Sequence, residues 1–212
     1  MVSNNSCPLC HNTGSKFYTG NDKLYYQCDG CEGIFLDQEF RPDKDSEKSR
    51  YLTHNNDVDD IGYQQFVSPI TSAVMNDYSS EHKGLDFGAG TGPVISKVLT
   101  DNQFNIKAYD PFFHNHSQLL NETYDFIACC EVIEHFYAPS KEFSLLKSLL
   151  KPNGRLYCMT DIYHENIDFH DWYYKNDPTH VFFYQQQSFV YIKEEYGFSD
   201  VFIDGRLITF TV

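Results

Sequence analysis

The sequence predicts an α/β fold, a mostly parallel sheet covered by helices, preceded by a small cysteine-bearing module. Three observations predict it. Two Cys-x2-Cys pairs open the chain, strand-like and helix-like apolar runs alternate beyond Glu81, and a glycine-rich turn directly follows the first of those strands.

A chain of 212 residues with 41% hydrophobic content has room for one ordinary domain and a small module. No apolar run reaches the length of a membrane span, and the start MVSNNSCPLC lacks the basic flank and apolar stretch of a secretory signal. The expectation is a cytoplasmic protein that does not engage a membrane. A formal charge of -14 creates a negative far field, which disfavours a nucleic-acid partner unless a local basic patch offsets it. Residues 1–50 supply no such patch, since their six basic residues are outnumbered by eight acidic ones.

Four of the seven cysteines form C-x2-C, seventeen residues, then C-x2-C: Cys7, Cys10, Cys28 and Cys31. This spacing suits a four-thiolate zinc site, because two residues between thiolates let one tight turn aim both sulfurs at the same ion. Such a site is closed, so the zinc is expected to be structural. Unmetallated thiols and a redox pair are the competing readings. Gly30 and Gly33 are expected to supply the unusual backbone angles of the knuckles, and His11 to be exposed. Cys129, Cys130 and Cys158 lie in apolar runs and read as small core hydrophobes.

The elements follow in order. Residues 16–19 and 24–27 form a hairpin about Gly20-Asn21-Asp22, completing a zinc ribbon over residues 1–40. Residues 41–60 are polar, without a sustained apolar period, and read as a linker; residues 63–78 supply an entry helix broken or kinked at Pro69. The third unit, residues 81–212, opens with a strand at 85–87, a helix over 93–99, a strand at 106–109 and another at 124–129. A helix over 139–150, a turn at 151–154, a strand at 155–160 and a helix over 187–196 stopped by Gly197 come next. Asp204-Gly205 between two apolar runs predicts a closing hairpin.

The run Gly84-Leu85-Asp86-Phe87-Gly88-Ala89-Gly90-Thr91-Gly92-Pro93 places glycines between a strand and a helix, where open α/β sheets bind ligands. A dinucleotide fingerprint wants glycine or alanine where this chain has Pro93, and Asp86 would crowd a pyrophosphate. A cofactor with a cationic end and no phosphate suits that carboxylate better. Asp110, 22 residues after Gly88 and at the end of the next strand, is placed to accept hydrogen bonds from ribose hydroxyls.

These residues resemble the class I S-adenosylmethionine-dependent methyltransferase family. Asp86 to Gly92 is similar to its first motif, Asp110 to its ribose acid, Tyr124 to Phe136 with its E-x-x-E-H tail to its fourth-strand motif, and Leu150 to Gly154 to the turn before its fifth strand. The resemblance covers about residues 83–212. It implies a seven-strand sheet that binds S-adenosyl-L-methionine, with Asp86, Gly88, Ala89, Gly90 and Gly92 at the cofactor, Asp110 on its ribose, and Pro111, Phe112, Cys130 and Glu131 beside its adenosine and methionine parts. Only residues 112–123 separate the second strand from the fourth, so the third strand is expected to be shortened or absent.

Residues 161–184, DIYHENIDFHDWYYKNDPTHVFFY, leave the sheet on the cofactor's rim, where loops carry substrate groups. His164, His170 and His180 are candidate bases because imidazole titrates near neutral pH. His180 ranks first, since the stretch Asp177 to Phe183 resembles small-molecule members of the family; a loop anchor is the competing role. Trp172, Tyr173 and Tyr174 form an aromatic wall or pack a core, and His135 holds the chain after the fourth strand. The reading is an S-adenosylmethionine-dependent methyltransferase acting on an oxygen, nitrogen or carbon of a small-molecule acceptor. Its alternatives are an RNA or protein methyltransferase that docks its substrate through the ribbon, and a non-catalytic cofactor-binding partner subunit. The oligomeric state is not legible.

Overall fold

The computed structural model describes residues 5–53 and 56–212. The first strands are β1 (Gly14–Gly20), β2 (Lys23–Cys28) and β3 (Ile34–Leu36). Helices α1 (Lys44–Tyr51), α2 (Ile61–Phe66) and α3 (Ser68–Asp77) follow. The main sheet then begins with β4 (Lys83–Phe87), α4 (Val94–Asp101), β5 (Asn105–Tyr109) and β6 (Tyr124–Cys130). The chain continues through α5 (Pro139–Ser148), β7 (Leu150–Met159), β8 (Phe182–Phe183), α6 (Gln186–Tyr196), β9 (Asp200–Asp204) and β10 (Leu207–Thr211).

Six strands in the order β5-β4-β6-β7-β10-β9 form the main sheet. The pairs among β5, β4, β6 and β7 are parallel, whereas β10 is antiparallel to both β7 and β9. The implied count of seven is therefore corrected to six among the described residues. Residues 112–123 are too few for a strand with its crossover, and a short 3-10 turn at Ser117–Asn121 occupies that place. The expected turn at 151–154 sits inside β7 as a bulge, pairing Tyr124 with Leu150 and then Phe126 with Arg155. Gly154 is needed there because a Cβ would lie 2.9 Å from the Lys151 carbonyl oxygen.

The stretch read as a linker contains α1. Asp43 caps it by accepting from the Ser46 N–H at 2.8 Å, acids occupy its first turn and bases its last. With no buried residue in α1, the apolar period that reveals most helices is missing. Pro69 lies in the first turn of α3, so it starts one helix and does not kink another.

A second sheet, ordered β1-β2-β3-β8, joins the two ends of the chain: Ile34 pairs with Phe183 and Phe35 with Phe182. Alternation along these strands sends side chains to two different cores. Tyr26, Phe35 and Phe182 pack with Phe143, Tyr184, Phe189 and Phe210 of the main domain, while Tyr25, Ile34, Leu36 and Phe183 pack with Tyr163, Phe169, Trp172 and Tyr174. The N-terminal hairpin is thus a slab between the main domain and the loop 161–184. Among the described residues no helix is long and apolar enough to cross a membrane.

Candidate active site and metal centres

A cleft of about 930 Å³ opens at the C-terminal ends of β4, β5 and β6. Its floor is the glycine turn. Gly88 and Gly90 have φ of 79° and 63°, and a Cβ on Gly88 would lie 2.4 Å from Val132, so both backbone and space demand glycine. The Gly88 and Ala89 N–H groups donate to the Tyr109 carbonyl at 2.8 and 3.1 Å. Gly92 lies against the backbone of Asn56, which brings the segment after α1 over the turn.

Asp86 and Asp110 are both buried at this floor. Ser96 donates to Asp86 Oδ2 through its N–H at 3.1 Å and its hydroxyl at 2.8 Å. Burial nevertheless pushes the Asp86 carboxyl up to about 6. Asp110 Oδ2 accepts from the Gly90 N–H at 3.0 Å, and Oδ1 from the Phe112 and Phe113 N–H groups at 2.8 and 3.0 Å. It thereby ties the glycine turn to the turn after β5.

Of the residues expected around the cofactor, Asp86, Gly88, Ala89, Gly90, Gly92, Asp110, Pro111, Phe112, Cys130 and Glu131 all line this cleft. From the loop 161–184, Tyr173, Tyr174 and His180 line it as well. His164 and His170, expected to meet the acceptor, lie exposed outside its lining, and the His170 Nδ1 faces the Tyr18 hydroxyl at 2.8 Å. Trp172 is buried in the aromatic core with its Nε1 donating to Asp161, so the aromatic wall is divided. The loop turns its apolar side inward onto the hairpin and leaves these histidines in solvent.

The opposite wall joins Glu131, expected beside the cofactor, to Glu134 and Arg206, which the sequence did not single out as site residues. Glu131 has φ 52°, a left-handed angle uncommon outside glycine, immediately after β6. Its N–H donates to the Met159 carbonyl at 2.8 Å, and Arg206 from the closing hairpin grips both carboxylate oxygens at 2.7 Å. Glu134 is fully buried, with Tyr174 donating to Oε1 at 2.5 Å and Thr160 to Oε2 at 3.0 Å. Burial, then mutual repulsion on the Glu131 side, pushes both carboxyls above the ordinary range.

Beside them stand His135 and His180. The His135 Nδ1 faces the Thr179 carbonyl at 3.0 Å and the His180 Nδ1 the Tyr174 carbonyl at 2.7 Å. A carbonyl only accepts, so each Nδ1 carries the hydrogen and each Nε2 is left with a lone pair. Burial and the neighbouring His135 ring push His180 down to about 3, which corrects the expectation of an imidazole titrating near neutrality. Helix α1 covers this wall: the Tyr51 ring lies 5.3 Å from the His135 ring, and Arg50 pairs with Asp177 at 2.8 Å.

Away from the cleft, Cys7, Cys10, Cys28 and Cys31 bring four sulfurs within 4.8 Å of one another, with Cys7 to Cys31 at 3.6 Å and Cys10 to Cys28 at 3.1 Å. Each knuckle closes on a left-handed residue, His11 (φ 63°) and Glu32 (φ 59°), whose N–H groups donate to the Cys7 and Cys28 carbonyls. The two glycines serve another need. A Cβ on Gly30 would strike Asn12 and one on Gly33 would strike the Phe182 ring, so they provide space and not backbone angle. His11 is exposed.

The parallel sheet, its glycine turn and the acid at the end of β5 define an α/β domain of the class I methyltransferase type. Residues 47–202 match the model of a family described as "Methyltransferase domain", and the chain belongs to that family. No curated protein matches the chain. Among solved structures it is similar to an O-methyltransferase family protein from Burkholderia thailandensis, at 12% identity and TM-score 0.53, covering 78% of this chain and 61% of that one. It is also similar to the magnesium protoporphyrin IX methyltransferase of Synechocystis with bound SAH, at 16% identity and TM-score 0.53, covering 82% of this chain and 96% of that one. At these identities the likeness concerns the fold.

Proposed function

We propose that the protein transfers a methyl group from S-adenosyl-L-methionine to an oxygen, nitrogen or carbon atom of a small-molecule acceptor. The observation that carries this reading is the floor of the cleft, where a glycine turn with two left-handed glycines lies between two buried carboxylates, Asp86 and Asp110. Paired acids repel a pyrophosphate and suit a ligand with a cationic amino-acid end and ribose hydroxyls. The residues fit that group. Gly88 and Gly90 let the backbone approach it, Asp86 offers charge to its cationic end, and Asp110 Oδ2, which accepts one protein hydrogen bond, has a lone pair left for a ribose hydroxyl.

When bound, the cofactor supplies an electrophilic methyl group on a sulfonium. The chain's own residues then set the acceptor's place. Phe112, Tyr51 and Tyr173 give apolar surface, while Glu131, Tyr174 and His180 give polar atoms on the wall facing the glycine turn. His180, kept uncharged by burial, presents its Nε2 lone pair on the acceptor's side of the cleft.

The cysteine quartet serves as a closed, structural zinc site, making residues 1–40 a zinc ribbon followed by a connecting segment (41–80) and the cofactor-binding unit (81–212). Four thiolates around tetrahedral zinc stand about 3.8 Å apart, a spacing that the four sulfurs, all within 4.8 Å of one another, reach with shifts of under about 1 Å, and no ligand position remains for water. Free thiols held for a metal also favour a cytoplasmic setting. Isothermal calorimetry with S-adenosyl-L-methionine and with NAD(H) tests the cofactor reading. The first should bind and the second should not; the reverse pattern would overturn it.

A further inference from the structure

We propose that Glu134, His135 and His180 form a second metal site, open to the cleft, for a divalent transition-metal ion that holds oxygen atoms of the acceptor. The acceptor half rests on the methyltransferase reading above; the metal half does not.

The three side chains offer Oε1 and two Nε2 atoms within 4.8 Å of one another, with Glu134 Oε1 3.9 Å from each imidazole. Both Nδ1 hydrogens are committed to backbone carbonyls, so no hydrogen lies on either Nε2. Two imidazole lone pairs and a carboxylate oxygen, the latter also accepting from the Tyr174 hydroxyl, therefore converge in a buried place and offer a cation three ligand atoms. A histidine whose Nδ1–H is held by a carbonyl and whose Nε2 faces inward is how proteins orient imidazole for metal. Glu134 is oriented in the same manner, by Tyr174 on one oxygen and Thr160 on the other.

Two imidazoles and one carboxylate make a ligand set used for zinc, iron and manganese, and three protein ligands leave positions open. Bonds of about 2.0–2.2 Å put such ligands roughly 3.0–3.5 Å apart, so closing on an ion takes shifts of under about 1 Å. His135 and His180 line the cleft and Glu134 lies behind them, so the open positions face the acceptor. This differs from the cysteine quartet, where soft thiolates surround the ion completely. Two adjacent open positions suit an acceptor with vicinal oxygens, such as a diol or catechol. Coordination lowers the hydroxyl's pKa; its proton leaves to water, the oxygen forms a bond to the methyl carbon, and the carbon–sulfur bond of the sulfonium breaks with its electrons on sulfur.

The test uses the full chain with its cysteine-bound metal retained and Mn(II) alone as probe, followed by electron paramagnetic resonance. One Mn(II) should bind per chain, and Glu134→Gln or His180→Gln should weaken it by about 10- to 100-fold or more. Melting temperature and calorimetry with S-adenosylhomocysteine identify variants that remain folded. Should one fail to fold, Co(II) added to the unsubstituted chain decides, because imidazole and carboxylate ligands give visible bands without thiolate charge transfer. Folded protein that binds neither Mn(II) nor Co(II) outside the cysteines, or a folded Glu134→Gln chain that binds Mn(II) as tightly as the original, overturns the site. Catechol should shift the Co(II) bands; unshifted bands overturn the acceptor half. Metal binding without any S-adenosylhomocysteine binding would instead count against the cofactor reading alone.

Discussion

The two walls of the cleft are built on opposite plans. The cofactor-side wall comes from short stretches, residues 86–92 and 109–113, fixed by hydrogen bonds such as Gly88 N–H to Tyr109 and Gly90 N–H to Asp110. The facing wall gathers Tyr51 from α1, Glu131 to His135 after β6, Tyr174 and His180 from the long loop, and Arg206 from the last hairpin. A wall assembled from neighbours in sequence survives damage elsewhere. One assembled from distant segments depends on whatever holds those segments, here the four-stranded N-terminal sheet.

The largest effect that could break this comparison is on the N-terminal sheet itself. On the structural-zinc proposal, Cys31→Ser should destabilise the whole protein by about 3 kcal/mol or more, because metal-binding energy at such a site is folding energy and the Ser188 hydroxyl, donating to the Cys31 carbonyl, ties this knuckle to α6. Urea denaturation measures it. A change below about 0.5 kcal/mol would mean that the hairpin is an appendage and the second wall stands without it.

Next in size is a pH effect confined to the first wall. Asp86 is raised from 3.8 to about 6, so between these values the folded state keeps a proton that the unfolded state has released. Stability from this group is therefore greatest below about pH 4 and falls as pH rises through 6, by about 3 kcal/mol in total. Asp86→Asn should remove that decline, and stability curves at pH 4 and 7 would show it. A variant with an unchanged pH slope would assign the decline to another group.

What was legible in the sequence divides along the same line. The glycine turn, Asp110, the cysteine spacing and the closing Asp204-Gly205 hairpin are local patterns, and each forms where expected. Helix α1 was hidden because it buries nothing and reads as polar chain. The Glu134, His135 and His180 cluster was hidden because it forms only when the 3-10 turn Ile133–His135 meets the loop through the His135 to Thr179 hydrogen bond. The only signal was the E-x-x-E-H tail, and nothing in its spacing named a partner 45 residues away at His180.

Asp110→Ala should weaken S-adenosyl-L-methionine binding by about 1.5 to 3 kcal/mol in calorimetry, the range for a hydrogen bond to a charged group. It should leave Mn(II) binding on the other wall intact; loss of both would show that the walls are coupled. The smallest effect is expected at Arg50→Ala. With Arg50 37% exposed, its pair with Asp177 should contribute only about 0.5 kcal/mol to stability, and a melting experiment would read a shift near the limit of detection. A large shift would make α1 a structural strut for the second wall.

The pairing of β3 with β8 also has a consequence for synthesis on the ribosome. Ile34, Phe35 and Leu36 emerge early, but their partners Phe182 and Phe183 are made nearly 150 residues later. At about 5 to 20 residues per second, that is a wait of roughly 7 to 30 seconds with an apolar strand edge uncovered. On the zinc-ribbon proposal, the four cysteines, all made before β3, can capture their metal during that interval and hold the hairpin while the rest is translated. The nascent chain is thus most vulnerable to aggregation before the cleft has begun to exist, and the proposed metal would matter most in that interval.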